Sequence, residues 1–328
     1  TNSDPTIGLP ASGSGDISSF NAQNSGPNQV VSTIIVTPQF GLCSGFSDQF
    51  TISVSPTPVV TNSILSEIVC SGVSTSEVVW TSSTPGVSFS WTGAVTSGNP
   101  SGWILTGTGN LPSMLLTNND VSTATIVYTI LPSVNGCDGP AVSFEITIEP
   151  IPDLSPLTDQ VICGGTSFVS PVFSSDVALT NYTWTLTNGQ TLPATISGYQ
   201  ISGSGQLSGI IIGNTGDEPQ ILTYIIVPSA AGCDGIGEEF NITVNPAPQV
   251  QFSLPFQSIC NGNSSQSVSI TSPTPGANIV WTITDQPLAL QGVTQNNGTN
   301  EIPVFTLTHL ENVPQTLVFE ASASTSGA

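Results

Sequence analysis

The chain has 328 residues, 21 acidic side chains, one histidine and no lysine or arginine, for a formal net charge of −21. Without lysine or arginine it can neither neutralise nucleic-acid phosphates nor grip anionic lipid through a polybasic patch, and no salt bridge to lysine or arginine and no lysine isopeptide link can form. Disorder is excluded from the other side: 38% of residues are hydrophobic and only 6% charged, whereas disordered chains pair low hydrophobicity with high charge.

In chain order, the first clear strand lies within the phrase TPQFGLCSGFSDQFTISVSPTP, Thr37 to Pro58. Phe50, Ile52 and Val54 alternate with polar residues, so one face of that strand is expected to be buried and the other solvated. IVCSG then places Cys70 near the start of a new module. TSEVVWTS and VSFSWTG, which carry Trp80 and Trp91, read as further strands. TGTG at 106–109 resembles half a dinucleotide fingerprint, but it follows no βαβ pattern and reads as a turn. ATIVYTILP leads into LPSVNGCDGPAVSFEITIEPIP, which repeats the first phrase around Cys137. The same order recurs with VICGG (Cys163), YTWTL (Trp184), SGSG at 202–205 and VPSAAGCDGIGEEFNITVNPAP (Cys233). It begins once more with SICNG (Cys260) and VWTIT (Trp281).

The coincidences are numerous and independent. The first cysteine series lies at spacings of 94 and 96, the second at 93 and 97, and a tryptophan follows each member of the second by 21 residues. A period near 95 is long enough for each copy to fold as a domain. The P-x-P tails set the boundaries: 1–58 is the back part of one copy, 59–152 and 153–248 are complete, and 249–328 is the front part of a fourth. The sequence is expected to be a window on a longer array, with a cysteine at position 329. About seven short strands per copy, with turn signals every 8–12 residues and no helical periodicity, predict an all-β immunoglobulin-like sandwich. The copies are expected to run end to end as an extended rod. Trp91, Trp184 and Trp281 are expected to be core tryptophans; Trp80 and Trp103, which occur only in the second copy, are better candidates for exposed contacts, though core or rim packing is the favoured expectation there too.

The six cysteines allow two regular pairings. Within copies they are Cys70–Cys137 and Cys163–Cys233, with Cys43 and Cys260 paired outside the window. Across junctions they are Cys43–Cys70, Cys137–Cys163 and Cys233–Cys260. The turns that carry them are expected to be closer within one copy, which favours the first scheme. Either implies an oxidising compartment.

No catalytic constellation is present. His309 is the only imidazole, aligns with Asn214 and has no counterpart in the sibling copies, so a loop position is expected. Glu238-Glu239 has no second acidic cluster in step with it. Calcium would need six to eight oxygens. Asp138 and Asp234 recur and Asp120 and Asp217-Glu218 sit in nearby loops, but no copy has a dense acidic array and Ser44 replaces the aspartate in the first. No enzyme activity, cofactor or metal is expected, and no run of ~18 apolar residues suggests a membrane span.

The motifs ICSG, W, YT-x(7)-C-x-G and V-x-P-x-P resemble the PKD-like/Ig-like repeats of giant Bacteroidetes surface adhesins. The W-x-F-G-D-G signature of other PKD domains is replaced by FSWTGAV and YTWTLTN. The resemblance implies a cell-surface filament for gliding motility and attachment, exported by the type IX secretion system and moved by outer-membrane machinery. Its partner would be an external substratum or polysaccharide reached through the parent protein. This segment would be a structural stalk. A carbohydrate-binding module array and a subunit of a polymeric surface fibre are the alternatives.

Overall fold

The computed structural model describes residues 1–189 and 191–324. Gln190 and the last four residues of the segment 249–328 lie outside the described residues. The chain divides into two compact units. One comprises Thr1–Pro152 with Asp176–Leu179 and Ala230–Asp234, and the other holds the remainder. The fold is all-β: among the described residues the only helical element is a single 3₁₀ turn, Pro5–Ile7.

In the first unit, β1 (Val30–Val36) pairs with β2 (Asp48–Val54) in the hairpin of the first copy. The second copy is a two-sheet sandwich. Its main sheet contains β3 (Ser66–Cys70), β4 (Ser88–Ser97), β5 (Thr106–Thr108), β6 (Ala124–Val134) and β7 (Val142–Glu149), in the order β3-β7-β6-β4-β5. The facing sheet is short: Leu115–Asn118 pairs with Val73–Ser74 on one side and Pro100–Ser101 on the other. Burial along β6 alternates without a break, with Ala124, Ile126, Tyr128 and Ile130 fully buried. The period-2 pattern of ATIVYTILP is thus the physical origin of the core face.

The third copy, which lies in the second unit apart from Asp176–Leu179 and Ala230–Asp234, repeats this sheet with β8 (Gln160–Cys163), β9 (Asn181–Leu186), β10 (Ser202–Ser204), β11 (Gln220–Ala230) and β12 (Glu238–Asn245), in the order β8-β12-β11-β9-β10. The fourth has β13 (Asn278–Asp285) flanked by β14 (Asn297–Thr299) and β15 (Val318–Ser324). Among the described residues three hydrophobic clusters form, one for each of the last three copies. The predicted tandem sandwich class is the one observed.

One feature of the sheet decides the cysteine chemistry. β3 runs parallel to β7, with Cys70 opposite Glu149, and β8 runs parallel to β12, with Cys163 opposite Asn245. The strand-end cysteine therefore lies where the chain leaves the sandwich. Cys137 and Cys233 sit in the hairpins that precede β7 and β12, at the opposite pole. Seven residues of strand separate Val142 from Glu149, roughly 23 Å at the usual rise, whereas a disulfide needs Cα atoms within about 7 Å.

The expected pairs Cys70–Cys137 and Cys163–Cys233 are accordingly not formed. Cys70 is bonded to Cys233, with Cα atoms 5.6 Å apart and a sequence separation of 163, and both fall in the first unit. Cys43, Cys137, Cys163 and Cys260 are free, so the junction pairing is not formed either. Proximity in sequence to the first two strands misled the expectation, because a parallel first strand carries its end away from the hairpin.

Candidate functional site

The residues that recur at fixed spacing are the natural candidates for a site. Trp91, Trp184 and Trp281 lie in the strands β4, β9 and β13 and are each no more than 5% exposed. Each stands directly across the sheet from a glycine: Gly107, Gly203 and Gly298 respectively. A Cβ at Gly107 or Gly203 would overlap the six-membered ring of the facing indole, and one at Gly298 would lie 2.8 Å from Trp281 Cζ2. The glycine exists to leave room for the ring. TGTG was expected to be a turn, and this holds only for its second glycine: Gly109, like Gly205 in the matching SGSG, has a positive φ, 76° and 72° respectively. The first glycine is in a strand.

Beside each indole lies a second aromatic ring. Tyr128 meets Trp91 edge-on at 5.6 Å and Tyr224 meets Trp184 at 5.8 Å. In the fourth copy Phe319 takes the same place against Trp281 at 5.7 Å. Such edge-to-face pairs add about 0.5–1.5 kcal/mol beyond the area buried. The tyrosine hydroxyls donate to backbone carbonyls, Tyr128 to Ile104 O and Tyr224 to Gln200 O, both at 2.9 Å. Trp281 Nε1 donates to Glu301 O at 2.8 Å, whereas Nε1 of Trp80, Trp91 and Trp184 is buried without a hydrogen-bond partner.

Burial pushes the phenol of Tyr224 up to about 12, against a smaller opposing influence of the Gln200 backbone and with the neighbouring Tyr199 pushing the same way as burial. An exposed tyrosine titrates near 10. Between those values the unfolded chain releases the proton while the folded chain keeps it, so stability is intact below pH 10 and falls from there towards pH 12. A tenfold difference in proton affinity corresponds to ~1.4 kcal/mol, so the loss in the third copy should reach at most ~2–3 kcal/mol, and less to the extent that water reaches the hydroxyl. Urea unfolding between pH 8 and 12 checks this, and Tyr224→Phe should flatten that part of the profile.

A buried asparagine is a recurring element that the cysteine and tryptophan spacings do not single out. Asn118 Nδ2 donates to Ser122 O and Ile148 O, at 2.8 and 3.1 Å, and its Oδ1 accepts from Asp120 N. Asn214 Nδ2 donates to Glu218 O and Val244 O, at 2.9 and 2.8 Å, and its Oδ1 accepts from Gly216 N. Each side chain thus ties a loop to the last strand of its sheet. The alignment of His309 with Asn214 hid the pattern, because the fourth copy is the exception. His309 is in a loop as expected, where its amide and carbonyl hydrogen-bond the side chain of Asn261.

The remaining candidates disperse. Trp80 is 4% exposed and packs edge-on against Phe144, while Trp103 packs against the same core at its margin. Neither is an open platform for a sugar. Glu238 and Glu239 project from β12 and are solvated. Asp120 Oδ2 accepts from Asn99 N at 2.9 Å, which closes a loop. Among the described residues no group of three or more His, Cys, Asp or Glu side chains could hold a metal ion, and no helix is long and apolar enough to cross a membrane. A hollow of about 580 Å³ in the fourth copy is lined by Phe252, Val268, Ile302, Phe305 and Phe319 among others. These are core side chains of that sheet pair. In the complete copies the corresponding flank of the sheet is filled by Phe144-Ile146-Ile148 and Phe240-Ile242-Val244, so the hollow has the character of a core.

No curated protein matches the chain significantly. Solved structures similar to it include the I-band fragment I67–I69 of titin, at 11% identity and a TM-score of 0.42, covering 83% of this chain and 95% of that one. Mouse cadherin-23 EC22–24 is 14% identical, with a TM-score of 0.31 and coverage of 81% and 93%. Drosophila N-cadherin EC1–4 is 12% identical, with a TM-score of 0.28 and coverage of 92% and 81%. The PKD-like domain family matches residues 67–152 and 160–248, more than half of the sequence and both complete copies. These are the two sandwiches built on the Trp–Gly–Tyr arrangement, and the chain belongs to the PKD-like domain family.

Proposed function

We propose that this chain is a non-enzymatic spacer segment of a long extracellular adhesive protein, in which PKD-like sandwiches bounded near Pro58, Pro152 and Pro248 hold a binding region away from the cell. One observation carries the reading. What recurs from copy to copy is used in packing: Trp91, Trp184 and Trp281 with their glycines, Tyr128 and Tyr224, and Asn118 and Asn214. Of the exposed side chains, Asp138 and Asp234 do recur in the hairpins, but among the described residues they belong to no group of three or more acidic, Cys or His side chains. Repetition that preserves a core and leaves the surface free serves length and stiffness, not a shared ligand. Uniform negative charge favours mutual repulsion and solubility, and Pro-rich joints favour semi-rigid connections.

The finer reading is a gliding-motility adhesin of the SprB type, placed outside the cell by type IX secretion and touching a substratum or polysaccharide through other parts of the parent protein. The support for it is the spacing of ICSG, W, YT-x(7)-C-x-G and V-x-P-x-P. Electron microscopy of arrays with different copy numbers tests the spacer role. Contour length should rise by ~40 Å per copy, from strands of about eight residues plus a joint. Compact particles whose length is independent of copy number would overturn it.

A further inference from the structure

The bond Cys70–Cys233 leaves four free thiols, and strand register accounts for all of them at once. In each complete copy one cysteine ends the first strand, at the pole where the chain leaves, beside Glu149 or Asn245. The other occupies the hairpin at the pole where the chain enters. A strand-end cysteine therefore faces whatever follows its sandwich, and a hairpin cysteine faces whatever precedes it.

The first unit shows this twice. The hairpin of the second copy abuts the tail of the first: Asn135 Nδ2 donates to Ser55 Oγ at 3.3 Å, and a Cβ at Gly139 would collide with Pro58 O. The hairpin of the third copy, through Cys233, is bonded to the strand end of the second at Cys70. The hairpins share a turn geometry, with Asn135 and Ala231 at φ 50° and Gly136 and Gly232 at φ 78° and 83°. They therefore present their cysteines alike.

We propose that Cys70–Cys233 is one link of a staggered disulfide ladder, in which the strand-end cysteine of every copy is bonded to the hairpin cysteine of the copy that follows. Where further copies flank this segment, Cys163 and Cys260 take hairpin cysteines downstream, and Cys43 and Cys137 take strand-end cysteines upstream. Each link forms from two thiols, which give up two protons and two electrons to a disulfide-carrying oxidant as that oxidant is reduced to its dithiol. Because Cys163 precedes Cys233, the loop closed by one link begins inside the loop closed by the one before it. The covalent path then overlaps along the whole array.

The ladder rests on strand register and repeat spacing, and it holds whether or not the array is a spacer. Non-reducing peptide mapping of the native array tests it, with free thiols first alkylated in denaturant. Cleavage must be at Asp and Glu, since the chain offers trypsin no site. The expected products are Cys70 joined to Cys233, and Cys163 joined to the hairpin cysteine of the fourth copy. In the 328-residue chain alone, Cys43, Cys137, Cys163 and Cys260 should take the alkylating reagent, and Cys70 and Cys233 should not. Recovery of Cys70–Cys137, Cys137–Cys163 or Cys163–Cys233, or of alkylated Cys163 from the native array, would overturn the proposal.

Discussion

Pulled from its two ends in a force spectrometer, the oxidised chain should unfold to a contour length roughly 550 Å shorter than the reduced chain. The bond fixes Cys70 to Cys233, so the residues between them stay off the force path even after their sandwiches have opened. At ~3.3–3.6 Å per extended residue, that segment accounts for the difference. Cys70→Ser should abolish it and make the oxidised and reduced traces coincide. Cys137→Ser, which alters a thiol outside the bond, should leave the difference unchanged. The bond should also stabilise the two copies it joins: the chain-entropy model gives about 5 kcal/mol for a loop of this length. An oxidised chain that extends as far as the reduced one would show that Cys70 and Cys233 are not bonded.

The same bond marks the boundary of what the sequence could convey. Strand positions and the core face were legible because both follow from local alternation, as in Phe144-Ile146-Ile148 and Phe240-Ile242-Val244. Trp91, Trp184 and Trp281 were legible as core because their spacing to the neighbouring cysteines and strands does not vary. The disulfide was not legible. Its partner depends on whether the first strand joins the sheet parallel or antiparallel to the last, and nothing in QVIC or SEIVC reports that choice. The role of Gly107 and Gly203 was hidden for a related reason. A glycine before a turn reads as part of the turn, and only the cross-strand register reveals that it faces an indole. Asn118 and Asn214 left a faint signal, an amide at the same place in both complete copies ahead of a polar loop, and the histidine of the fourth copy obscured it. Interactions within a strand were therefore readable, while those that depend on which strands become neighbours were not.

Gly203→Ala should be among the most damaging single changes available in the third copy. The added Cβ would overlap Cζ2 and Cη2 of Trp184, and these belong to a rigid ring already held edge-on by Tyr224. The ring cannot retreat without displacing Tyr224, whose hydroxyl is anchored on Gln200 O, or Ile226, its other cross-strand neighbour. Overpacking of this kind typically costs about 1–3 kcal/mol and occasionally more, and the absence of a flexible neighbour here places the expected loss at ~3 kcal/mol. Gly205→Ala, past the end of β10 and with open space around its Cβ, should cost only the strain of its positive φ, about 1–2 kcal/mol. The two substitutions therefore separate steric overlap from backbone conformation. Replacing the indole by a smaller ring supplies the decisive comparison. Trp184→Phe alone should destabilise by leaving a void, but in the Gly203→Ala background it should recover part of the loss, which gives a coupling of at least ~1 kcal/mol in a double-mutant cycle. Strict additivity, measured by urea unfolding with circular dichroism, would mean that glycine and tryptophan do not share that space. The recurrence of the pair in the last three copies would then need a different physical reason.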